Sequence, residues 1–175
     1  MSEHAHIDPS NKKIALLIAI LALCLAITET LGKAYQTEVI TKQVESSNLW
    51  AFFQAKSIRK TSTELALETM RATAPANDAK SEELINKWSA AVKRYESEPE
   101  TGEGRKELAA RAKKAEQLGN AANHKYHYFE IASGMLQVAI VLASASIITA
   151  VGLLGVVSGG LGLVAVGFSF YAMFH

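Results

Sequence analysis

Charge is absent from two long stretches of this 175-residue chain. No Asp, Glu, Lys or Arg occurs from Ile14 to Thr28, and none from Ile131 to His175. The 18 basic and 17 acidic residues are confined to residues 1–13, which hold four, and 29–130, which hold the other 31. A single water-soluble domain rarely sorts its charges this way. Proline is scarce as well: there are three, and none between residues 29 and 73, so nothing in that stretch forces a helix to stop. The one cysteine, Cys24, excludes an intramolecular disulfide and any Cys-x-x-Cys pair. Inside the first apolar run it reads as a small lipid-buried hydrophobe. Formal net charge is only +1, which leaves no concentrated positive field for nucleic acid. There is no Gly-x-Ser-x-Gly, no glycine-rich phosphate loop and no His-Glu-x-x-His. The expectation is a non-enzymatic protein without a cofactor.

What is present is a polar insert between two membrane-seeking ends. Fifteen residues from Ile14 rise only ~22 Å, against a hydrocarbon core of ~30 Å. Leu31 and Tyr35 complete a first span over 14–35, with Glu29 and Lys33 snorkelling, facing protein, or pairing with each other. Lys12 and Lys13 precede it as in a signal peptide, but Gly32-Lys33-Ala34 is a poor cleavage site, so an uncleaved anchor following a tail of residues 1–13 is expected. The 45 uncharged residues from Ile131 onward would make a single helix of ~67 Å, about twice the core thickness. They therefore fold back as two spans, 129–149 and 153–174. The turn falls at Thr149-Ala150-Val151-Gly152, with Ser158-Gly159-Gly160 as the alternative. Tyr126, Tyr128 and Phe129 then share an interface with Phe168, Phe170, Tyr171 and Phe174, as an aromatic belt requires.

Six of the chain's eleven glycines lie within 152–167. In lipid no hydrophobic force joins helices, so small residues matter because they let backbones approach. Gly155, Gly159 and Gly162 on the third span, and Ala139 and Ala143 on the second, are candidate packing positions within the chain or between copies. Gln137 is placed for an interhelical hydrogen bond. An alternative puts Gln137, Ser144 and Thr149 along a pore.

The insert, residues 36–128, reads as a helical hairpin. The first span runs outward as one helix to Thr73, with an irregularity possible at Ser46-Ser47-Asn48. Val39/Ile40, Val44, Trp50/Phe53, Ile58, Leu65 and Met70 form its imperfect apolar stripe. A turn near 74–78 contains Pro75, with Asn77 or Asp78 as cap. The return leg shows Leu84/Ile85, Trp88, Ala91/Val92 and Tyr95. A break follows near 98–104, then the second stripe: Leu108, Ala112, Ala115, Leu118, Ala122, Tyr126 and Phe129. Legs of similar length can pair antiparallel. The fold class is thus an all-α membrane protein with three transmembrane helices, one N-terminal and two in a C-terminal hairpin, and a long antiparallel helical arm between them. Trp50, Phe52, Phe53, Gln54 and Lys56 form the arm's densest aromatic cluster. Phe52 and Phe53 cannot both enter one narrow seam, so one face is a candidate interaction surface.

The run Ser47-Asn48-Leu49-Trp50-Ala51-Phe52-Phe53-Gln54-Ala55-Lys56-Ser57-Ile58-Arg59 resembles a bacterial membrane family known as domain of unknown function 4337. The His4-Ala5-His6 tail and Leu136-Gln137-Val138-Ala139-Ile140 are similar too. The resemblance covers nearly the whole chain and implies three spans with a helical insert, but no catalytic residue. It also implies a bacterial inner membrane with the 149–152 turn in the cytoplasm, although the basic residues typical of relatives there are missing. The N-terminus is then cytoplasmic, as Lys12 and Lys13 also indicate, and the arm periplasmic. His124 and His127, three apart on a helix, are weak candidate metal ligands, and a metal-responsive sensor is a third reading beside scaffold and pore. The expected partners are the lipid bilayer and further copies of the chain or another membrane protein.

Overall fold

The computed structural model describes residues 9–75 and 78–174, with side chains from Lys12 onward. Four helices follow one another: α1 (Pro9–Thr73), α2 (Ala79–Glu96), α3 (Arg105–Thr149) and α4 (Gly152–Phe174). No strand occurs among the described residues. α1, α3 and α4 are each long and apolar enough to cross a membrane. The residues divide into two compact units, one made of the chain up to Val39 and from Asn120 onward, the other of Ile40–Gly119.

In the first unit, α4 presents Gly155, Ser158, Gly162, Ala165, Ser169 and Ala172, spaced alternately three and four apart. That spacing keeps small residues on one face of a helix packed against others. Ser158, Gly162, Ala165 and Ala172 are buried. The facing positions of α3 are Ala132, Leu136, Ala139, Ala143 and Ser146, all buried. Leu21 of α1 joins Leu136, Ala139 and Ala165 at the centre. A Cβ at Gly162 would collide with Leu21, and one at Gly155 would lie 3.3 Å from Ser146 Oγ. Gly159 has open space where a side chain would go, so no contact among the described residues requires its smallness. Apart from Leu21, Phe129 and Leu136, many large apolar residues point outward: Leu16, Ile20 and Leu23 on α1, Val141 and Ile148 on α3, Leu153, Val156 and Leu163 on α4. Small inside and large outside is the arrangement of helices solvated by hydrocarbon.

In the apolar stretches of this unit polar groups are few, and several of them are paired. Ser158 Oγ donates to the Ala139 carbonyl at 2.6 Å, and the Thr28 and Ser169 hydroxyls lie 3.1 Å apart. Gln137 Nε2 donates to Glu29 Oε1 at 3.2 Å. Glu29 is thus joined to α3, and no ion pair links it to Lys33. Ser144 and Thr149 turn their hydroxyls back to the Ile140 and Ala145 carbonyls of their own helix. Between α3 and α4 stand only Ala150 and Val151. Ala150 takes a left-handed φ of 56° to reverse the chain, and Ser146 Oγ donates to the Val151 carbonyl at 3.0 Å. The alternative turn at 158–160 lies inside α4.

The second unit packs α2 and α3 against α1. Residue numbers fall on one side as they rise on the other: Lys42 meets Gly119, Ser46 Oγ donates to the Ala112 carbonyl, and Arg105 donates to Ser57. The legs are therefore antiparallel. Leu49, Leu108, Ala112 and Ala115 are the buried core, with Trp50 and Phe53 against it. Alanine at 112 and 115 and glycine at 119 set the close approach; a Cβ on Gly119 would sit 3.2 Å from that of Lys42. Asp78 caps α2, accepting from the Lys80 and Ser81 amides at 3.4 and 3.3 Å and from Ser81 Oγ at 2.6 Å. The remainder of the expected 74–78 turn, residues 76 and 77, lies outside the described residues.

Between α2 and α3 the chain folds round the Glu107 carboxylate, which accepts from Ser97 Oγ at 2.6 Å and the Glu98 amide at 3.1 Å. These bonds hold it below the usual carboxylate range. A Cβ on Gly104 would strike Ser97, Glu98 and Glu107, and Gly102 has a φ of +69°, so glycine is required at both places.

Two features of α1 correct the sequence reading. The helix is unbroken through Ser46-Ser47-Asn48, because Ser46 faces inward and bonds across to α3. The apolar stripe also holds only in part. Its members Val39, Trp50, Phe53 and Met70 are buried or half-buried, but Ile40, Val44, Ile58 and Leu65 are exposed, and Ser46, Leu49, Lys56, Lys60 and Leu67 complete the inner face.

Candidate interaction surface on the arm

Inward-facing lysines on α1 are matched by carboxylates from the return leg. Lys60 Nζ lies 3.0 Å from Glu96, and Arg105 Nη1 lies 2.9 Å from the same carboxylate. Lys56 reaches Glu103 at 3.5 Å and Glu98 at 3.9 Å. The hydrogen bond between Lys60 and Glu96 holds the lysine above and the carboxylate below their ordinary ranges. Trp50 Nε1 donates to Glu116 at 2.9 Å, and Trp50 meets Phe53 edge to face at 5.4 Å. The Arg105 guanidinium covers Phe53 at 5.0 Å.

The five residues of the aromatic cluster are thus divided between faces. Trp50, Phe53 and Lys56 serve the contact with the return leg. Phe52 and Gln54 are exposed. Phe52 also borders a groove of about 420 Å³ with Leu49, Ala55, Lys56, Arg59, Glu103, Leu108 and Arg111.

On the outer face stands a second seam. Val44, Asn48, Ala51, Ala55, Ile58, Ser62, Leu65, Thr69 and Ala72 recur at alternating steps of four and three, and all are exposed. None carries a charge. Val44 is 55% exposed, Phe52 63%, Ile58 68% and Leu65 65%. A strict 3.5-residue repeat is the pattern of a helix prepared for another helix. The inner seam already has its partner within the chain; this one has none among the described residues.

The chain matches the family model for domain of unknown function DUF4337 over residues 10–175. It belongs to that family. No curated protein and no solved structure matches it. Both seams of this DUF4337 chain lie within the matched range, as do both candidate histidines. His127 Nδ1 lies 3.4 Å from Glu130, while His124 faces a separate recess with Lys125, Tyr128 and Tyr171. No group of three or more metal-ligating side chains is gathered among the described residues, and His4 and His6 lie outside them.

Proposed function

We propose that this chain is a non-enzymatic, three-span membrane protein whose helical arm pairs with a second copy of itself through the outer seam of α1. The carrying observation is the exposed, charge-free repeat from Val44 to Ala72, beside an inner seam already satisfied. Copies inserted the same way in one bilayer present their α1 helices parallel and in register. Like residues then meet: Ile58 and Leu65 bury their counterparts, and Asn48 meets the partner's Asn48. A single asparagine in such a seam fixes register and favours two strands. Glu45, Arg59 and Glu68, which flank the seam, face Ile40, Gln54 and Thr73 of the partner, so no like charges oppose one another. Lys12 and Lys13 favour a cytoplasmic N-terminus, which places the arm across a bacterial inner membrane in the periplasm.

Disulfide trapping in native membranes tests the pairing. In a Cys24→Ser background, Ala55→Cys is expected to give a dimer-sized band on mild oxidation, and Phe53→Cys none. Absence of the Ala55→Cys product overturns self-pairing through this face. Trapping only between mixed Glu45→Cys and Arg59→Cys copies overturns the parallel arrangement, since those residues meet only in an antiparallel pair.

A further inference from the structure

At one end of the apolar unit, Ala121, His124, Lys125 and Tyr128 of α3 and Tyr171 of α4 enclose a recess of about 320 Å³. Its charge is one-sided. Lys125 is half-buried, and no described carboxylate lies within ion-pair distance of its Nζ. Its contact is the face of Tyr35, 5.8 Å away. A ring face offsets only part of what an ammonium loses on leaving water. Glu130, the acidic residue one turn along α3, is engaged with His127. His124 adds a second basic group, and no acidic residue among those described lines the recess.

The wall is aromatic. Tyr128 meets Tyr171 edge to face at 5.4 Å and lies 6.4 Å from Phe168. The recess also stands at a boundary: from Ile131 through Phe174 neither helix carries a charge, and towards Asn120 α3 is polar. Tyrosines at such a boundary sit at headgroup level. A cationic opening, an aromatic wall and a position beside the acyl region suit one class of ligand.

We propose that this recess binds the phosphate of an anionic phospholipid, Lys125 making the ion pair, His124 a second contact, and the tyrosine rings lying along the glycerol and upper acyl chain. The proposal rests on the apolar unit residing in a bilayer. A zwitterionic headgroup is disfavoured, because its ammonium would meet Lys125 with no carboxylate among the described residues to receive it.

Full-length protein in nanodiscs containing equal phosphatidylglycerol and phosphatidylcholine of matched chains is released in the gas phase, and the retained lipid is identified by native mass spectrometry. Wild type is expected to retain phosphatidylglycerol with a roughly fivefold preference, the size one basic residue gives at an anionic surface. Lys125→Ala should lose the preference, Lys125→Arg should keep it, and Lys106→Ala, at the start of α3, should leave it unchanged. Retained helicity by circular dichroism shows that Lys125→Ala is folded. Equal retention of both lipids by wild type overturns the proposal, as does a preference untouched by Lys125→Ala. Displacement of the lipid by millimolar inorganic phosphate would reassign the site to a soluble anion. Failure to enter nanodiscs at all would instead overturn the bilayer reading itself.

Discussion

The two units solve the same packing problem with opposite materials. In the unit built from α4 and the ends of α1 and α3, the inner face of α4 is glycine, alanine and serine packed round Leu21, Leu136 and Phe129, while most leucines, valines and isoleucines lie outside. In the Ile40–Gly119 unit, a short apolar core is flanked by lysine, arginine and glutamate in direct contact, and most of the outer surface is polar. The difference teaches which solvent each was selected against. Where water surrounds helices, burying apolar area drives association, and charges can line the seam if paired. Where hydrocarbon surrounds them, apolar area gains nothing by burial, and close backbone approach decides.

The sharpest way to break that contrast is Gly162→Leu. Leu21 occupies the space the new side chain needs, so a loss of about 1–3 kcal/mol is expected from overpacking. Thermal unfolding in mild detergent would show it, and unchanged stability would mean that α4 does not rely on close approach. Acid should separate the units next. Glu96 and Glu107 are held below the usual carboxylate range, so their contribution is complete above it and fades as pH falls through their depressed values. Lys60, held above its ordinary range, keeps its full contribution below that range and loses it as pH rises through the raised value. Arm unfolding followed by circular dichroism should therefore be flat between about pH 6 and 9 and weaken below about pH 4. The apolar spans should retain their helicity across that range; equal acid sensitivity would blur the comparison.

Two smaller effects refine the picture of the membrane unit. Ala150→Gly should stabilise the α3–α4 turn by about 1 kcal/mol, because a left-handed φ costs alanine roughly that much. Ser158→Ala should cost only about 0.6 kcal/mol, as interhelical hydrogen bonds in membranes usually do, and detergent unfolding would register it as a small shift.

Much of this architecture was legible because charge and length are coarse, strong signals. The uncharged run from Ile131 is too long for one crossing, and α3 ends at Thr149 while α4 begins at Gly152. The inner face of the arm was legible only in part: Trp50, Phe53, Leu108, Ala112 and Ala115 stood on the expected stripes and lie in or against the core. Hydrophobic periodicity selected Val44, Ile58 and Leu65, yet the return leg packs on Ser46, Lys56 and Lys60, whose partners Ala112, Glu98, Glu103 and Glu96 come from distant sequence. A lysine reads as solvent-facing until its carboxylate is placed. Gly155, Gly159 and Gly162 stood out on α4, with Ser158 four residues before Gly162, but Ala165, Ser169 and Ala172, which complete that seam, carry little signal of their own. The recess at Lys125 escaped for another reason: Tyr171 is 46 residues away in sequence, and only the hairpin brings it to Tyr128. His124 was singled out for metal, while its neighbours in space suit an anion.

A two-residue reversal between α3 and α4 also acts as a tether. From Thr149 to Gly152 the chain can stretch no further than about 11 Å, roughly one helix diameter. The adjoining ends of these two rods cannot part, so whatever displaces one there carries the other with it.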